Sequence, residues 1–67
     1  MTGSEFDQQS FLAALDALPQ VQRTVYLLAS RDELSLADIG LRIGEDIAAV
    51  EYHLARALEA LVHALDP

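Results

Sequence analysis

The chain has 67 residues, 52% of them hydrophobic, with no Cys, no Trp, and 11 acids against four arginines and no lysine, for a formal charge of −7. A chain this short hides only about 60% of its unfolded surface, which excludes an enclosed catalytic cavity and a second domain. The missing Cys excludes disulfides and thiolate metal sites, and the acidic balance opposes phosphate attraction and counterion release, so non-specific DNA binding is expected to be weak. The apolar runs fall far short of the roughly 20 residues that span a bilayer, and no basic segment followed by an apolar one opens the chain. The expectation is a soluble, unsecreted domain with no membrane insertion.

The opening Gly3-Ser4-Glu5-Phe6 is what two adjacent cloning sites encode, so residues 1–6 read as a cloning scar or a disordered N-terminus and residues 7–67 as the domain. Asp7 can cap a first helix over 8–17, with Phe11, Leu12, Leu15 and Leu18 at helical spacing. Pro19 then stops that helix or opens the next at its first position. Val21, Val25 and Leu28 repeat at i, i+4 and i+7, widened by Tyr26 and Leu27, and give a second helix over 20–30 that ends at Ser30-Arg31-Asp32-Glu33.

Ser35 with Asp38 three residues on resembles a capping box, and Leu36, Ile39 and Ile43 mark one face of a short third helix ended by Gly44. Asp46 is a good N-cap for a fourth helix, along which Ile47, Val50, Leu54, Leu58, Leu61 and Leu65 form one stripe. A short helix and a longer amphipathic one, joined by a Gly-containing turn, make a helix-turn-helix. Gly40 supports it, because the two helices cross closely and the first needs a small residue there. Periodicity alone weighs a generic four-helix mini-bundle about equally.

Residues 14–61, about three quarters of the chain, resemble region 4 of sigma-70-type RNA polymerase sigma factors, especially the extracytoplasmic-function kind. Leu18-Pro19, Gln22-Arg23 and Val25-Tyr26-Leu27-Leu28 match the family's opening, and Leu34-Ser35, Asp38-Ile39-Gly40 and Ile43-Gly44 match its turn. The run from Val50 to Leu58 is most similar to the iron-starvation branch typified by ferric-citrate sigma factors. The resemblance implies an all-α, four-helix fold without strands, of the winged-helix-like DNA-binding class. It also implies a cytoplasmic bacterial protein that needs no cofactor, is not an enzyme, and recognises the promoter −35 element in transcription initiation. Promoter DNA, bound weakly in isolation, the RNA polymerase core and an anti-sigma protein are the partners so implied.

Carried across by that resemblance, the groove-facing positions are Ile47, Ala48, Ala49, Glu51, Tyr52 and His53, joined by Arg42 and Arg56 as DNA contacts. The family commonly places Arg, Lys, Thr or Ser at several of these positions, since Arg and Lys read guanine edges. Ala48 and Ala49 offer only methyl contacts, and Glu51 can at best accept from a cytosine amino group. Glu45 and Ile47 look exchanged in character relative to the family.

Arg56 can instead pair with Glu59 at i+3, the slightly favoured alternative. Arg42 and Arg23 can hold phosphates or remain solvated. His53 and His63 lie about 280° apart around one helix and cannot share a metal. The acid pairs Asp32-Glu33 and Glu45-Asp46 read as caps and solvated loops. Val21, Leu41 and Ile47 could form an apolar patch for a partner. The alternative to DNA reading is therefore an acidic helix-turn-helix used for protein-protein interaction, with an anti-sigma protein or the polymerase.

Overall fold

The computed structural model describes residues 8–65, and the scar or disordered N-terminus expected at residues 1–6 and the cap expected at Asp7 lie outside them. Four helices follow in order: α1 Gln8–Asp16, α2 Gln20–Ser30, α3 Leu36–Ile43 and α4 Ile47–Leu65. There is no strand among the described residues. The fold is the expected all-α domain with a helix-turn-helix at α3–α4. No helix of the described residues is long and apolar enough to cross a membrane.

α4 packs against each of the other three helices, and α2 also packs on α3. The interior divides into two clusters along α4. Val25, Ile39 and Val50, one each from α2, α3 and α4, are fully buried and meet with Leu28 under the helix-turn-helix. At the other end Leu15 and Leu18 from the α1 region pack on Ala57 and Leu61 of α4. Phe11 and Tyr26 join this second cluster with tilted rings 6.2 Å apart, an edge-inclined arrangement that aromatic quadrupoles favour.

The buried stripe of α4 differs from the one expected. Leu58 is 46% and Ile47 48% exposed, whereas Ala57 is fully buried. The inward line is thus Val50, Leu54, Ala57 and Leu61, a stagger of four, three and four residues that a helix of 3.6 residues per turn places on one side. The small Ala57 side chain sits where α4 meets Leu15 and Leu18, and Leu58, one residue on, is carried to the flank. On α1, Leu12 is likewise turned outward.

The connections are closed by local chemistry. Pro19, extended at φ −54° and ψ 148°, immediately precedes α2, and its carbonyl accepts the first bond of that helix from the Arg23 N–H at 3.0 Å. The Arg23 guanidinium turns back to donate to the Asp16 and Leu18 carbonyls at 2.9 and 3.1 Å, occupying acceptors that a helix end leaves open. Arg23, a candidate phosphate ligand by sequence, therefore ties α1 to α2. Val21 packs on the helix-turn-helix cluster and does not join an exposed patch.

Candidate nucleic-acid interface

The reading helix is positioned by its turn. Gly44 adopts the left-handed conformation, φ 76°, at the end of α3, which glycine enters without the Cβ clash other residues meet. Its N–H and that of Glu45 both donate to the Gly40 carbonyl, at 2.8 and 2.9 Å. Gly40 is buried, and a Cβ there would collide with the Glu45 carbonyl oxygen and reach Val50 Cγ2 at 3.6 Å. Any larger residue would push the turn away from α3 and rotate α4 out of place.

Both helices of the motif begin on a side-chain cap. Ser35 Oγ accepts from the Asp38 N–H at 3.1 Å, and Asp46 Oδ1 accepts from the Ala49 N–H at 2.9 Å. Each cap satisfies one of the amide donors that a helix start leaves unpaired. These caps and the Gly44 turn fix which residues of α4 face outward.

On that outward side the structure brings Ala48, Glu51, Tyr52 and Arg56 together as exposed residues of α4, with Ile47 at its first turn. Tyr52 is 60% exposed. Arg42 is exposed in the last turn of α3. Arg56 Nη1 lies 3.6 Å from Glu59 Oε1, with more than half of each side chain in solvent, a pair worth a few tenths of a kcal/mol at most. The guanidinium is held only loosely there.

Two of the expected groove residues are placed differently. Ala49 is half-buried, and its N–H is taken by the Asp46 cap. The His53 side chain is only 17% exposed, and its Nε2 lies 3.1 Å from Glu45 Oε1. Its Nδ1 is buried without a partner, so the tautomer that donates from Nε2–H to the carboxylate suits the site. His53 thus clasps the turn to α4. The pairing spans eight residues across the turn, beyond the i, i+4 spacings that a single helix makes legible.

Arg56 also borders an open hollow of about 370 Å³, shared with Pro19, Gln22, Glu59, Ala60 and His63. Pro19 and Gln22 stand near Arg56 only because α2 crosses α4, a neighbourhood that helical spacing alone cannot reveal, whereas Glu59, Ala60 and His63 follow Arg56 at i+3, i+4 and i+7 on α4. Electrostatically the interface is acidic: from residue 38 to 51 the chain carries Asp38, Glu45, Asp46 and Glu51 against Arg42 alone. No group of His, Cys, Asp and Glu among the described residues could hold a metal ion.

Residues 8–61 match the family model described as sigma-70, region 4. No curated protein and no solved structure gives a significant match.

Proposed function

As the chain belongs to the sigma-70 region 4 family, whose members are non-enzymatic transcription-factor domains that engage DNA and RNA polymerase in transcription initiation, we propose that it recognises a promoter −35 element. In this reading it is the C-terminal region 4 of an alternative sigma factor, of the extracytoplasmic-function kind and nearest the ferric-citrate branch, at work in the bacterial cytoplasm. The observation that carries the proposal is the exposed Ala48, Tyr52 and Arg56 line on α4, beside the exposed Arg42 of α3, on a helix-turn-helix whose turn and caps are fully formed.

A helix-turn-helix lays its second helix in the major groove with the N-terminal residues toward base edges. Placed so, Ala48 meets a thymine methyl, Glu51 accepts from a cytosine amino group, and Tyr52 supplies a hydroxyl and an apolar ring. Arg42 and Arg56 hold phosphates that set the register, Arg56 after leaving Glu59. Ile47 borders the groove, while Ala49 and His53 support the helix from behind.

Four acids around one arginine make isolated binding weak. That suffices in a factor tethered to polymerase, because tethering raises the effective concentration of the domain at its promoter. The tolerance for an acidic reading end is a consequence of working inside a larger complex.

The test is fluorescence anisotropy of promoter-like duplexes at low salt with the wild type and Tyr52→Ala. The variant should bind more weakly while its unfolding midpoint stays in place, since Tyr52 is mostly in solvent. Equal affinity for the two proteins would refute the groove assignment.

A further inference from the structure

Glu45 stands in the turn between the two helices of the motif, at the end that meets DNA, where an acid works against phosphate attraction. Its contacts show what it does there. The Glu45 N–H donates to the Gly40 carbonyl at 2.9 Å, and its own carbonyl oxygen occupies the space that a Cβ on Gly40 would need. Its backbone is therefore seated on α3. Its carboxylate reaches forward to His53 Nε2 at 3.1 Å, in the second turn of α4. A single residue thus braces one helix against the other.

The Asp46 cap already holds α4 at its start through the Ala49 N–H. The brace holds it again at His53, six residues beyond Ile47 and about 9 Å further along the axis. One attachment fixes where a helix begins, and two fix its direction. His53 also touches the residue that reads: its ring lies 5.7 Å from that of Tyr52 at 66°, an edge-inclined contact that aromatic quadrupoles favour. The His53 side chain is only 17% exposed, and Nδ1 is buried without a partner. The bond to Glu45 is thus what sets the tautomer and the tilt of this imidazole.

We propose that Glu45 and His53 are positioning residues for base readout, determining sequence preference without touching DNA. The brace sets the direction of α4 in the major groove, and the His53 ring sets that of Tyr52. Groups that read a ligand have to be held within about 0.5 Å of their productive geometry, and the exposed Tyr52 has no other ring beside it among the described residues. The acid lowers affinity for every duplex alike, while the alignment it imposes favours the right one, and specificity is the difference between the two affinities. The inference rests on the −35 reading.

The experiment selects duplexes with a randomised window on the full wild-type chain. Anisotropy then compares the enriched duplex with a scrambled one for wild type, Glu45→Gln, Glu45→Ala and His53→Ala, at a temperature where circular dichroism shows all four folded. The two Glu45 variants lose the same charge, but only glutamine keeps an oxygen that accepts from Nε2–H. Glu45→Gln should keep the wild-type ratio of affinities. Glu45→Ala and His53→Ala should lower it about fivefold or more, the least that one lost base contact is worth. In the free wild-type domain, the ring nitrogen shifts of His53 should place the proton on Nε2. An undiminished ratio in Glu45→Ala, an equal loss in Glu45→Gln, or a proton on Nδ1 would overturn the proposal alone. A wild type that enriches no sequence would overturn the −35 reading and the proposal with it.

Discussion

The inner and outer sides of the helix-turn-helix differ in how tightly chemistry constrains them. On the inner side each residue has a structural role. Ile39 and Val50 are fully buried, Gly40 admits the Glu45 carbonyl, Gly44 makes the turn and Asp46 starts α4. On the outer side, Leu41, Ile47 and Glu51 occupy positions where a DNA reader gains from cations. The frame that aims a recognition helix and the side chains that read with it are separate specifications. This chain keeps the first in full and departs widely from the usual form of the second.

Substitutions should separate the two sides by size of effect. Ile39→Ala empties a fully buried site at the meeting of α2, α3 and α4 and should cost about 2–5 kcal/mol, measured by chemical denaturation. A cost near zero would mean that this cluster does not hold the motif together. Removing either cap, by Ser35→Ala or Asp46→Ala, should cost about 1 kcal/mol each, with amide exchange faster in the first turn of the affected helix. On the outer side, Glu51→Lys should change stability by no more than about 0.5 kcal/mol. It should nevertheless strengthen DNA binding at low salt and steepen its dependence on log salt concentration by about one unit, as one added phosphate contact does. A large stability loss in Glu51→Lys would contradict the division between the two sides.

The frame is legible in the sequence because its signals are local. The boundaries of α2, the Ser35 and Asp46 caps and the Gly44 stop all follow from residues a few positions apart, and the structure forms each of them. Ala57 is invisible to a periodicity traced through large side chains, because a close helix crossing is made by a small one. The roles of Arg23 and His53 are hidden for another reason: each reaches across a turn to a partner seven or eight residues away, where helical spacing predicts nothing. Leu41 does stand out in the sequence. The fold brings it to one concavity with Ile47, as expected of the apolar patch read there, and packs Val21 elsewhere.

The most direct test of −35 recognition is a residue-resolved NMR titration of the labelled domain with promoter-like duplexes at low salt, where weak phosphate contacts are strongest. Shifts should concentrate on Arg42 and on the α4 residues Ala48, Glu51, Tyr52 and Arg56, with the buried Ile39 and Val25 unmoved. An α4 that stays silent while the domain remains folded would contradict the assignment of this face to DNA.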